Sequence, residues 1–98
     1  MKKLTINREN REVLYEALLT LKTTEECKKF LDDLCTVNEL ESISQRLVVA
    51  KLLTENKVYI DIVEKTGAST ATISRVNRTL RYGTGGYEMI FERLAEKE

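Results

Sequence analysis

Between Leu47 and Leu53 the chain reads Leu-Val-Val-Ala-Lys-Leu-Leu, and wound as a helix this run leaves almost no polar face. A helix that is apolar nearly all round must be covered on several sides. A chain of 98 residues has one modest core to offer, so the simplest cover is a second copy of itself. The run therefore predicts an intimate homodimer. The alternative is a central helix wrapped wholly by its own chain.

The rest of the sequence reads as helices joined by short connectors. Proline is absent, and Leu, Glu, Lys, Thr and Ile dominate, which favours helix. A first helix is expected from about Arg8 to Lys22, with Val13, Leu14, Ala17, Leu18 and Leu21 on one face. A second opens with a capping box, Thr23 and Glu26, and turns Cys27, Phe30, Leu31 and Leu34 inward. A third opens with Thr36 and Glu39, runs to about Thr54, and carries Leu40, Ile43, Leu47 and Ala50 as its first stripe. A short fourth spans about Val58 to Lys65 and is followed by Thr66-Gly67-Ala68. A fifth starts from a Ser69 cap and reaches about Tyr82. Gly83 is expected to end it in a left-handed conformation, with Thr84-Gly85-Gly86 as a flexible joint. A sixth carries Tyr87, Ile90, Phe91 and Leu94 as one stripe. Repeats and linker-like stretches are lacking, so residues 1–98 read as a single all-α domain.

Several function classes are disfavoured. The sequence has no histidine, which removes the usual acid–base group at neutral pH. Neither cysteine has a plausible base beside it in sequence, and no cluster has metal-ligand spacing. An enzyme is not expected, nor a metal. Cys27 and Cys35 lie about 12 Å apart along one expected helix, too far to pair, and read as small core residues in a reducing compartment. Met1-Lys2-Lys3-Leu4 lacks the apolar stretch of a leader, and no run approaches a membrane span. The expected location is the cytoplasm.

Residues 59–80 have the spacing of a helix-turn-helix. A tight corner between two helices needs a left-handed residue, and Gly67 stands where it is required. Ile62 from the first helix, with Ala68, Ile73 and Val76 from the second, would lock the pair. Ala68, Ser69, Thr70, Ala71, Thr72 and Ser74 then gather at the start of the second helix, where small and hydroxyl side chains suit close approach to base edges. Formal net charge is zero, but residues 57–82 hold Lys57, Lys65, Arg75, Arg78 and Arg81 against only Asp61 and Glu64. Lys57, Lys65 and the three arginines, whose three-residue spacing would line them along one side of the helix, are the expected phosphate contacts. Two features depart from the usual pattern. Thr66 precedes the glycine where an apolar residue is common, and Val63 replaces a common small alanine, which would set the helices slightly further apart.

The stretch Gly67-Ala68-Ser69-Thr70-Ala71-Thr72-Ile73-Ser74-Arg75 resembles the turn and reading helix of the Trp repressor family, and most closely its YerC/YecD branch in Gram-positive bacteria. The similarity extends from Thr36 to Leu53 upstream and to about Leu80 downstream. It implies a six-helix fold, two chains intertwined through their N-terminal helices, and two reading helices set about one DNA turn (~34 Å) apart on a near-palindromic operator.

The resemblance also implies an effector site. By position, Arg46 and Arg75 match the two arginines that hold tryptophan in the family, Thr36 matches the threonine supplied by the partner chain, and Thr79 stands where a serine is usual. Val76 replaces the glycine against which the indole lies, and its isopropyl group fills that space at roughly 1–3 kcal/mol of overpacking. Tryptophan is therefore disfavoured as a corepressor, and whether another small effector exists stays open. The leading reading is a homodimeric, sequence-specific regulator of transcription, a repressor that occludes its promoter on double-stranded DNA. The competing reading is a protein-interaction module on the same fold, suggested by the zero net charge and the acidic first helix of the motif.

Overall fold

The computed structural model describes residues 8–97; the Met1–Leu4 stretch lies outside them. The described residues contain six helices and no strand. The chain divides into two compact units, Met1–Thr36 and Val37–Glu98.

The first unit holds α1 (Arg8–Leu19) and α2 (Thr24–Leu34). Helix α1 stops three residues before the expected Lys22. The Thr20 hydroxyl donates to the Ala17 carbonyl at 2.7 Å, and the Thr20 and Leu21 amides fold back onto Ala17 and Leu18, a local alternative to continuing the helix. The capping box of α2 forms with a shift. The Glu26 amide donates to the Thr23 hydroxyl at 3.1 Å, while the Glu26 carboxylate accepts from the Lys22 amide at 2.9 Å, one residue ahead of the cap. None of the α2 residues is buried, and Leu34, expected inside, is 51% exposed. Both cysteines are free and half-buried. Cys35 ends α2 in an extended conformation rather than lying within it.

The second unit contains α3 (Val37–Thr54), α4 (Tyr59–Thr66), α5 (Thr70–Tyr82) and α6 (Gly86–Glu96). Its core is Val49, Ala50, Ile62, Ala68, Ile73, Val76 and Phe91, with Leu52, Leu53, Tyr59, Leu80 and Tyr87 packed against it. Val49, Ile62 and Ile73 are fully buried, each contributing about 1.5–3 kcal/mol of transfer free energy. Phe91 stacks on Tyr87 with ring centroids 6.1 Å apart. Lys51, the one charged residue in the apolar run, sets its ammonium 5.3 Å from the Phe91 ring centre and gains a cation–π contact there.

Helix α3 thus carries two apolar faces, and only one is filled by this unit. Val49 and Ala50 enter the core, whereas Ile43, Leu47 and Val48 remain 46%, 38% and 50% exposed. Of the expected first stripe only Ala50 is buried. The helix closes through Asn56, which takes a left-handed φ of 61°, a conformation asparagine tolerates better than most residues. The Lys57 amide then reaches the Leu52 carbonyl and the Asn56 amide the Leu53 carbonyl, each at 3.1 Å, satisfying two terminal acceptors.

The junction between α5 and α6 differs from expectation. Gly83 is extended, with φ −85° and ψ −160°, not left-handed. Its need for glycine is spatial: a Cβ there would sit 2.4 Å from the Thr79 carbonyl oxygen. The left-handed residue is Gly85 (φ 83°), which caps α6, and Gly86 is already that helix's first residue. The expected flexible joint is a turn with defined geometry.

Candidate nucleic-acid interface

Helices α4 and α5 meet at the corner Gly67-Ala68-Ser69, as the spacing predicts. Gly67 has φ +72°, and its amide donates to the Val63 carbonyl at 2.8 Å. The Ser69 hydroxyl accepts from the Thr72 amide at 3.1 Å and starts α5. Ile62, Ala68, Ile73 and Val76 are all 2% exposed or less, so the inner faces of the two helices interlock. Val63 is 36% exposed and lies at the margin, while Ile62 makes the buried contact.

Thr66, the apparent departure, is tied into the corner by three hydrogen bonds. Its hydroxyl donates to the Ile62 carbonyl at 2.7 Å and accepts from the Ala68 amide at 3.1 Å. Its carbonyl accepts from the Gln45 side-chain amide of α3 at 3.1 Å. A part-buried hydroxyl that both donates and accepts carries no desolvation penalty to speak of, so threonine serves here in place of an apolar residue. Nothing in the sequence around Gln45 pointed to this bond.

The proposed reading residues separate into groups. Ser69, Thr70, Ala71 and Ser74 are exposed. Ala68 is 2% exposed and belongs to the core; its side chain has no access to a base edge. Thr72 is half-buried, and its hydroxyl accepts from Ser69 at 3.1 Å, which draws it toward the cap. Lys57, Lys65, Arg75, Arg78 and Arg81 are all exposed. The three arginines do not form one line, because each three-residue step falls about 60° short of a full turn. Arg78 and Arg81 line a shallow hollow with Tyr59, Ser74, Asn77 and Tyr82; Arg75 is not part of it.

A Trp repressor protein family model matches residues 9–95. The chain belongs to the Trp repressor family. It is 54% identical over 85 residues to YerC of Bacillus subtilis, an uncharacterized protein, covering 87% of this chain and 82% of that one. Among solved structures it resembles a TrpR-like protein from Eubacterium eligens, at 58% identity and TM-score 0.84, covering 86% of this chain and 87% of that one. It also resembles a proposed Trp repressor from Staphylococcus aureus, at 49% identity and TM-score 0.87, covering 92% and 90% of the two chains. The six-helix Trp repressor fold expected from the Gly67–Arg75 stretch is thus the fold observed.

Of the residues matched to the Trp repressor effector site, Arg46, Arg75 and Thr79 lie in the second unit and Thr36 in the first. Arg46 lines a depression along α3 with Asn38, Glu39, Ser42 and Ile43, while Thr79 lines a separate apolar groove with Leu47, Leu80 and residues 84–90. The α3 side chain bonded to the helix-turn-helix corner is that of Gln45, the neighbour of Arg46. The Thr79 hydroxyl donates back to the Arg75 carbonyl at 3.2 Å. Thr36, exposed, closes the first unit. Val76, at 2% exposed, belongs to the core of the second unit. Among the described residues no helix is long and apolar enough to cross a membrane.

Proposed function

We propose that this chain is a homodimeric, sequence-specific DNA-binding regulator of transcription that represses by occluding a promoter. The observation that carries the reading is the division of α5. Its inner face, Ile73 and Val76, is sealed in the core with Val49 and Ala50 of α3 and Ile62 of α4, while its outer arc presents Ala71, Ser74, Arg75 and Arg78 to solvent without one acidic residue in the helix. A rigid helix with small and hydroxyl groups near its start and cations beyond them suits a major groove. Ala71 and Ser74 contact base edges, and Thr70 borders them. Thr72 acts through the cap. Lys57, Lys65, Arg75 and Arg78 contact phosphates.

The dimer follows from what the chain leaves uncovered. Ile43, Leu47 and Val48 on α3 and Met89, Ile90 and Leu94 on α6 are each 38–50% exposed, and clustered apolar surface of this kind marks an interaction face. A groove of about 410 Å³, lined by Leu47, Leu80, Tyr87, Met89 and Ile90 among others, continues this surface. A twofold partner covers it and sets two copies of α5 about 34 Å apart.

DNA binding proceeds without tryptophan. Val76 occupies the place of the family's glycine and is buried in the core.

The test is a gel-shift series on duplexes recovered from genome-wide crosslinking of the tagged protein. Ser74→Ala should change the order of preference among sequences, while Arg78→Ala should weaken all of them alike. Equal losses on every sequence from both variants would refute the division of labour. A second reading, a protein-docking module, draws on α4 and its cap, where Ile60 is 71% and Val58 61% exposed beside the exposed Asp61 and Glu64. Salt-sensitive binding to duplex DNA decides against it.

A further inference from the structure

Helix α1 carries a polar residue where its packing stripe calls for an apolar one. The side chains described along it are exposed except at Asn10, Leu14 and Ala17, which are half-buried. Those positions are spaced by four and then three residues, the interval of a seam that packs along a second helix. Val13 and Leu18 border the seam and are 42% and 40% exposed, so the stripe is apolar on both flanks and only part-covered. At its Asn10 end the side-chain oxygen is shut off from water, and among the described residues it accepts no hydrogen bond. A buried acceptor without a donor is costly and rare in a completed structure. The residue as a whole is only half-buried, so its amide stands at the margin between this chain and whatever covers α1.

We infer that the missing donor is the amide of the partner subunit's Asn10, and that the two side chains pair across the twofold axis of the homodimer. A primary amide carries an acceptor oxygen and two N–H donors. Two such groups facing each other about a twofold exchange two hydrogen bonds, each oxygen accepting from the other's nitrogen. A half-turn of the broad, two-fold χ2 torsion swaps oxygen and nitrogen and brings either atom to the contact. Asparagine is thus its own complement, which is what a contact between identical patches requires, and this favours a second copy over an unrelated helix as the cover. The inference rests on the homodimer reading and adds a residue of α1 to an interface drawn so far from α3 and α6. A lone amide in an apolar seam sets register at some cost in stability. A helix offset by one turn, or a foreign apolar helix, leaves the oxygen unpaired, so Asn10 selects a chain of its own kind.

The experiment places opposite charges at this one position. Asn10→Asp and Asn10→Lys are purified as full chains with distinguishable tags. Each is measured alone, and the two in an equal mixture, by sedimentation equilibrium and native mass spectrometry. Alone, each variant brings like charges face to face in a part-buried seam, so its dimer dissociation constant should rise by about tenfold or more. Mixed, the two should form the Asp–Lys heterodimer in excess over both homodimers combined, at close to wild-type affinity. Circular dichroism of the mixture should show helix regained where a single variant has lost it. A mixture no tighter than its components, or single variants that dimerise like the wild type, would overturn the pairing and leave the homodimer standing. A wild-type protein that stays monomeric at micromolar concentration would overturn both.

Discussion

The side-chain amide of Gln45 donates to the backbone carbonyl of Thr66 at 3.1 Å, across 21 residues of sequence. Thr66 spends its hydroxyl within the corner and its carbonyl on α3, so one residue ties the helix-turn-helix together and fastens it to the central helix. The orientation of α5 therefore depends on hydrogen bonds as well as on the apolar contacts of Ile62, Ile73 and Val76.

Removing either partner should loosen the corner by different amounts. Gln45→Ala loses one part-buried bond, about 1 kcal/mol. Thr66→Val leaves the Ala68 amide without its acceptor and should cost about 1–3 kcal/mol. Urea denaturation of the two variants measures both. Equal stability of Thr66→Val and the wild type would show that the hydroxyl network contributes nothing.

The two glycines that end α4 and α5 should respond differently to substitution. At Gly67 the space for a Cβ is open but φ is +72°, so Gly67→Ala costs about 1–2 kcal/mol of backbone strain and Gly67→Asn less. At Gly83 φ is ordinary but the space is taken by the Thr79 carbonyl. Asparagine should therefore rescue position 67 and give no relief at 83. Thermal melts of the four variants give the comparison.

A carboxylate placed on the uncovered face of α3 should separate the subunits. Leu47→Glu requires burying a charge at the proposed interface, a penalty of several kcal/mol, so the dimer dissociation constant should rise at least 100-fold, about 2.7 kcal/mol. Sedimentation equilibrium reads this directly, and the variant should lose DNA binding along with dimerisation. A dimer of wild-type affinity would place the interface elsewhere.

Titration calorimetry with tryptophan should give no saturable heat, and tryptophan should leave DNA affinity unchanged. Val76→Ala should cost about 2 kcal/mol of stability through the void left in the core. Saturable micromolar tryptophan binding by the wild-type protein would contradict the role assigned to Val76.

What the sequence made legible was local chemistry. Gly67, the Ser69 cap and the inward set Ile62, Ile73 and Val76 follow from backbone conformation and helical period over a few residues, and they emerged as expected. What it concealed was tertiary. Thr66 looked like a blemish because its partner Gln45 lies on another helix. Gly83 and Gly85 exchanged roles because a glycine after a helix serves a close approach as readily as a left-handed turn. Arg75, Arg78 and Arg81 looked like one row because a three-residue spacing imitates a helical repeat while drifting around the axis. Leu34 and much of the α3 stripe were expected inside and remain uncovered, which is the pattern of a chain whose core is completed by another molecule.

The most direct test of the account is selection of duplexes from a random pool by the purified wild-type protein, without added tryptophan, followed by footprinting of the enriched sequences. The expected result is a near-palindrome whose protected half-sites are centred about one helical turn, ~34 Å, apart, with enrichment abolished by Leu47→Glu. A pool that stays random, with no protection at low salt, would contradict it.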